Sequence, residues 1–294
     1  MKIAVVGSLN IDMVVTAPRI PLKGETLIGN ELHFIPGGKG ANQAVALGRL
    51  GADVTMFGCV GDDDFGRQVV ANLEAQSVRS GPVKVIPGQT TGVAMITVGD
   101  HDNCIVVIPG ANASVNRSYV DSIREELLAA HLVIMQLEIP IDTVEYVVDL
   151  CNKAGIDVIL NPAPALELQA ELIEKVRYLT PNEHEAAVIF GNERDFRDLL
   201  RQYPDKLIIT QGAAGVSCAD NSGEVHTIPA NPSQVVDTTG AGDTFNGAFA
   251  FAFAKGFAIV EALKFANVAA GLSTEKFGAQ GGMPTLKEVM NKLP

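Results

Sequence analysis

A chain of 294 residues with 47% hydrophobic content can bury the core of one large α/β domain, or of a main domain with a small appendage. Its formal net charge of -12 argues against a nucleic-acid partner, because phosphate backbones attract Lys and Arg clusters that this sequence does not show. Cys59, Cys104, Cys151 and Cys218 lie far apart without a CxxC pair, and the five histidines form no HExxH, so zinc chemistry has no support.

The chain opens on KIAVVG, a strand rather than a charged segment ahead of a long apolar run, and no stretch approaches an uninterrupted membrane span. A cytoplasmic location is the expectation. Helical patterns (GANQAVALGRLG, DFGRQVVANLEAQ, TVEYVVDLCNKAG) then alternate with short apolar runs (DVTMFGCVG, HLVIMQLE, DVILNPAP, VRYLTPN, KLIITQG). This rhythm predicts a mostly parallel sheet with helices on both faces. Two segments break it. Residues 11–36 and roughly 90–108 carry β-like patterns with turn residues and little helical periodicity. They predict a small separate β-sheet, a flap over the crevice at the strands' carboxyl ends, shielded by a ligand and by a second subunit. From Asp243 to about Lys276 the chain reads as two helices rich in Ala, Gly and Phe.

Candidate chemistry follows the same order. GSLNID sets Asn10 and Asp12 at the carboxyl end of the first strand, where an amide and a carboxylate can bind a polyol or merely form a turn. PGGKGANQA opens a helix whose apolar face runs through Val45, Leu47 and Leu50. A lysine in that first turn, Lys39, opposes the helix dipole and is expected to meet a polar ligand or an acidic partner. Glu138 ends the run HLVIMQLE, where an acid should be paired or face a cleft. PNEHE spaces Asn182 and Glu185 as a capping box does. TQGAAG, Thr210 to Gly215, is a glycine-rich turn that could lie against a nucleotide or simply close a hairpin.

The most informative stretch is VVDTTGAGDTF. Gly240, Ala241 and Gly242 let backbone N–H groups converge where a helix starts, a ready site for a phosphate. Asp243 would face the same spot, which suits an acid that takes a proton from an attacking hydroxyl, although Asp is also a favoured helix cap. No lysine follows as in GxxxxGK[ST], and no GxGxxG opens the first strand, which disfavours a nicotinamide-dependent oxidoreductase.

Taken together, GSLNID, GGKGAN, NxxE, TQGAAG, DTTGAGDTF and KFGAQGGMP resemble, in order and spacing over nearly the whole chain, the ribokinase-like carbohydrate kinases of the PfkB family. The resemblance implies a three-layer αβα sandwich with a mostly parallel central sheet plus a small β-sheet lid that serves as sugar lid and homodimer surface. It implies that Asn10, Asp12, Gly38, Lys39, Gly40, Ala41, Asn42 and Glu138 contact the sugar. Asp243 is then the catalytic base, with Gly240, Ala241, Gly242 and the Asp243 amide around the anion hole. Asn182 and Glu185 organise Mg2+ and phosphates of ATP. The nucleotide pocket comprises Thr210, Gln211, Gly212, Ala213, Ala214, Gly215, Gly242 and Asn267. A monovalent cation, usually K+, is implied at Asp237 and near Thr239, Ser273, Lys276, Gly278 and Gly282. The implied reaction is phosphorylation of D-ribose at its 5-hydroxyl by ATP. GGKGANQA and the GAQ loop favour ribose over fructose or a nucleoside, while deoxyribose would look similar. A non-catalytic sugar or nucleotide sensor of the same fold is the rival from another class, and the intact Asp243 turn argues against it.

Overall fold

β1 (Lys2–Val6) is buried from its second residue on, as a strand covered on both faces must be. Its side chains alternate, Ile3 and Val5 entering one core and Ala4 and Val6 the other. Then come β2 (Asn10–Thr16), β3 (Glu31–Gly37), α1 (Lys39–Arg49), β4 (Asp53–Phe57), β5 (Cys59–Gly61), α2 (Asp64–Ala75), β6 (Lys84–Ile86), β7 (Gly92–Gly99) and β8 (Asp102–Ile108). Two short helices, α3 (Arg117–Ser122) and α4 (Arg124–Leu128), lead to β9 (Leu132–Met135), α5 (Ile141–Lys153), β10 (Asp157–Leu160), α6 (Ala170–Lys175) and β11 (Tyr178–Leu179). The chain ends through α7 (Glu183–Phe190), α8 (Phe196–Gln202), β12 (Ile208–Thr210), β13 (Val216–Ala219), β14 (Val225–Ile228), α9 (Ala241–Ala254), α10 (Ile259–Ser273) and α11 (Leu286–Lys292). This computed structural model describes residues 1–100, 102–191 and 195–293; position 101, inside the second predicted lid segment, lies outside the described residues.

The central sheet runs β11-β10-β9-β1-β4 with every pair parallel. Single parallel bridges, Leu179 to Leu207 and Asn182 to Thr210, carry it on to the antiparallel β12-β13-β14 edge. One face packs on α1, α9 and α10, the other on α5 and α8, giving two apolar cores and three layers. That is the architecture expected from the alternating pattern. The run read as one strand, DVTMFGCVG, divides into β4 and β5, and β5 leaves the main sheet to pair with β6.

The two segments that broke the rhythm pair with each other in a four-stranded sheet, β3-β2-β7-β8, in which β2 and β7 are parallel and the outer pairs antiparallel. β2 belongs to both worlds: its first residues, Asn10 and Asp12, are buried at the carboxyl end of β1, and its later ones run out into the small sheet. β8 is exposed along its whole length.

Candidate active site

The carboxyl ends of β10, β11 and β12 face the starts of α1, α7 and α9, and a cleft of about 220 Å3 lies between them. Asp243, in the first turn of α9, lines it together with Gly242, Lys39, Asn182, Glu185 and Thr210. The turn before α9 requires glycine at 240: its φ is 75°, and an added Cβ would stand 2.6 Å from the Ala279 carbonyl oxygen. The Ala241 N–H turns back to the Thr238 carbonyl at 3.2 Å. Gly242 and Asp243 carry first-turn N–H groups for which a helix supplies no acceptor, so the N–H groups left open to an anion at the start of α9 are theirs more than that of Ala241.

Asp243 is 6% exposed, and both of its oxygens are held. Asn42 Nδ2 donates to Oδ2 at 2.9 Å and Gln43 Nε2 to Oδ1 at 3.1 Å. Both amides come from α1, which reaches Asp243 because α9 has glycine at 247; a Cβ there would meet Ala46 Cβ at 2.7 Å and the Gln43 carbonyl at 2.9 Å. Behind them the polar chain continues: Gln280 Nε2 donates to Asn42 Oδ1 at 2.9 Å, and Gln136 Nε2 to Gln43 Oε1 at 2.6 Å. Burial pushes the Asp243 carboxyl above the usual carboxylate range, against the pull of Lys39 and the two amide donors. Acidic groups act on Lys39, one of the two settings expected for it, a polar ligand being the other. Burial works against its charge, but Asp243, Glu138, Glu185 and Asp12 together outweigh that and raise its pKa.

The residues predicted to bind sugar gather at the foot of the small sheet. Asp12, 9% exposed, is pushed up to about 7 by burial and then by Glu138 and Asp243, with Lys39 opposing. Asn10 commits its carbonyl end to the protein, accepting from Asn112 Nδ2 at 2.7 Å. Glu138 is paired rather than free: it accepts from the Ser8 hydroxyl and, at 3.0 Å, from the Lys39 backbone N–H. Gly40 N–H donates to Ser8 Oγ at 3.2 Å and Ala41 N–H to the Ser8 carbonyl at 2.9 Å. Glu138 and Ser8 thus satisfy the open start of α1, where Gly38 offers no side-chain cap.

Across the cleft, Asn182 and Glu185 form the capping box their spacing predicts, with reciprocal hydrogen bonds of 2.8 Å. Glu185 still lines the cleft, its carboxyl raised by burial. Thr210 to Gly215 makes the turn of the β12–β13 hairpin, with Gly212, Ala213 and Ala214 exposed and Gln211 accepting from Ser217 Oγ at 2.7 Å. Asn267 is not among the residues that line the cleft. Its amide ties the end of β14, donating to the carbonyls of Ile228 at 3.1 Å and Pro229 at 2.9 Å. Beside the α9 turn, Asp237 Oδ1 accepts from Thr239 N and Oγ1 at 2.9 and 2.7 Å, and Oδ2 from Gly278 N at 2.8 Å. Burial raises its carboxyl pKa, but these donors outweigh it and hold the group below its ordinary value. Ser273 and Gly282 are pressed together, a Cβ at 282 falling 1.9 Å from the Ser273 carbonyl. Lys276 is exposed, and its ammonium acts on Glu288.

Sequence reasoning missed the amides: Gln43, Gln136, Asn161 and Gln280 are all buried. Gln43 and Gln280 lay inside motifs already singled out, but Gln136 and Asn161 carried no local signal beyond being polar at a strand end.

The chain matches the pfkB family carbohydrate kinase profile over residues 1–286. It is 48% identical to the ribokinase of Bacillus subtilis (strain 168) over 292 residues, 99% of each chain. It is 46% identical to the ribokinase of Lactococcus lactis, covering 99% of this chain and 97% of that one. Among solved structures it superposes on Arabidopsis thaliana ribokinase complexed with ribose and ATP with a TM-score of 0.90, at 31% identity over 99% and 98% of the two chains.

Proposed function

Because this chain belongs to the pfkB family of carbohydrate kinases, we propose that it transfers the γ-phosphoryl group of ATP to the 5-hydroxyl of D-ribose, giving ribose 5-phosphate and ADP. The observation that carries the reading is Asp243, a buried acid held through both oxygens at the start of α9, in a cleft that also holds Lys39. The 5-oxygen attacks the γ-phosphorus, the bond to the β-phosphate oxygen breaks, and the hydroxyl proton passes to Asp243. The free N–H groups of the first turn of α9 and the Lys39 ammonium offset charge on the moving phosphoryl oxygens. Asn10, Asp12, Asn42 and Glu138 orient the sugar, and the small sheet closes over it to exclude water.

Asn182 and Glu185 would hold the phosphates of ATP and a Mg2+ bound with them, which would offset the negative charge of the triphosphate. The oxygen-rich set of Asp237 and the carbonyls of the 273–282 loop fits a hard monovalent cation such as K+. Three donors occupy the Asp237 carboxylate, which has about four lone-pair sites in all. Residues 11–36 and 90–108 act as the lid, and two chains pair through it. The four free thiols and the use of ATP suit a cytoplasmic protein.

The test is ADP release from purified protein given ATP and Mg2+, with ribose, deoxyribose, fructose and nucleosides in turn, with and without K+. Ribose should be the best substrate and K+ should raise the rate. Asp243→Asn should lower turnover by about two orders of magnitude or more while ribose affinity changes little. Turnover close to wild type in that variant would remove Asp243 from the reaction.

A further inference from the structure

We propose that Gln43 is a positioning residue for the Asp243 carboxylate, acting through an amide whose orientation Gln136 fixes. The inference rests on the reading of Asp243 as the base. Gln43 has no exposed surface, and its Nε2 lies 3.1 Å from Asp243 Oδ1 and 3.1 Å from Asn161 Oδ1. Its Oε1 accepts from Gln136 Nε2 at 2.6 Å. A terminal amide can be turned over, and only its contacts decide which way it sits. Turned over, Gln43 would set its carbonyl against the carboxylate and its NH2 against that of Gln136, two contacts of like with like. Asn161 adds a second constraint, since its Nδ2 donates to the Thr180 carbonyl at 3.2 Å and so presents Oδ1 to Gln43. Gln136 serves this orientation at a cost, for its own Oε1 is buried with no hydrogen-bond partner among the described residues.

The consequence is geometric. Asn42 alone would hold one oxygen of Asp243 and leave the carboxylate able to rotate about its Cβ–Cγ bond. With Gln43 on the other oxygen the plane is pinned at two points, and the lone pair that must meet the hydroxyl proton is set before substrate arrives. The charges that face Asp243, namely Lys39 from α1, Glu138 after β9, Asp12 from β2 and Glu185 from α7, are untouched by substitutions at Gln43. A variant there leaves those charges in place but removes one of the two donors that pull the Asp243 carboxyl down, so the kcat–pH profile separates a misplaced base, which lowers kcat at every pH, from a raised carboxyl, which moves the profile to higher pH.

The experiment measures kcat and both KM values for Gln43→Leu and Gln136→Leu, each in the wild-type and the Asp243→Asn backgrounds, with thermal unfolding alongside. In the wild-type background Gln43→Leu should lower kcat about tenfold or more, with KM for ribose and ATP changing less than about twofold. Gln136→Leu, which reaches Asp243 only through Gln43, should lower kcat about threefold. Neither should lower the residual rate of Asp243→Asn further, because the group they position is gone. A kcat within twofold of wild type for Gln43→Leu overturns the proposal, and so does a loss of equal size in both backgrounds, which is what general damage to the fold produces. Should Gln43→Leu fail to fold, Gln136→Leu decides by the same criteria. An Asp243→Asn enzyme that is nearly fully active overturns the base reading and this proposal together. A crippled Asp243→Asn beside an unaffected Gln43→Leu overturns this proposal alone.

Discussion

Four carboxylates, Asp12, Glu138, Glu185 and Asp243, act on one ammonium, Lys39, and the imbalance leaves the acids competing for a single counter-charge. Asp12 bears the result: its carboxyl is pushed up to about 7, mainly by burial and then by Glu138 and Asp243. In the unfolded chain the same group titrates near about 3.9. Between those two values the folded protein keeps a proton that the unfolded chain releases, so this residue's contribution to stability is intact below about pH 4 and lost as pH rises through about 7. The loss at alkaline pH amounts to at most about 4 kcal/mol. Asp243 and Glu185, whose carboxyls are also raised, slope the curve in the same direction. Asp12→Asn keeps the shape of the protonated side chain without the charge. Without ligands, its Tm should exceed that of wild type by several degrees at pH 8, and the gap should shrink as pH falls and close near about pH 4. Parallel Tm curves across that range would show that Asp12 is ionised in the fold at ordinary cost.

At the scale of elements, the packing of α1 on α9 makes the site, because each helix supplies half of it: Asn42 and Gln43 on one, Asp243 on the other. Gly247 sets their separation. Gly247→Val should force the helices apart at a cost of about 1–3 kcal/mol and draw both amides away from the carboxylate. Tm should fall and kcat should fall about tenfold or more; a lowered Tm with unchanged kcat would show that the site tolerates the displacement. This interface also marks the limit of what could be read from the chain alone. Apolar runs such as KIAVV and LVIM announced parallel strands because burial on both faces leaves no room for polar residues. The capping box at Asn182 and the turn at Gly240 were legible because their chemistry is local. Gln136 and Asn161 were not. Their meaning comes from meeting Gln43 across 93 and 118 residues of sequence, a juxtaposition that no local period encodes.

At the scale of the molecule, β2 joins the three-layer body to the small sheet, so Asn10 and Asp12, proposed to hold the sugar, lie on the same strand as the sheet proposed to cover it. Pairing registers carry this relation outward. Asp12 pairs with Ala94 and Ala94 with Val107, while Val14 pairs with Ile96 and Ile96 with Ile105, so Ile105 and Val107 of β8 share a face with Asp12. In the single chain these two are 51% and 46% exposed, on a strand whose outer edge has no partner among the described residues. If two chains pair through the lid as proposed, this apolar, unpaired edge strand is the surface a second copy would cover, through a closed two-fold contact in which the same strand serves both chains. Dimerisation would then stiffen the face above Asp12 and hold the lid in its sugar-binding form. Charging that face by Ile105→Asp with Val107→Asp should convert a dimer into a monomer, read by light scattering on a sizing column. It should also raise the ribose KM several-fold while leaving the ATP KM near its wild-type value, because the part of the cleft proposed to take ATP is lined from α7, β12 and α9 instead. A doubly charged variant that remains dimeric would place the contact on another surface. One that becomes monomeric with an unchanged ribose KM would separate dimerisation from closure over the sugar.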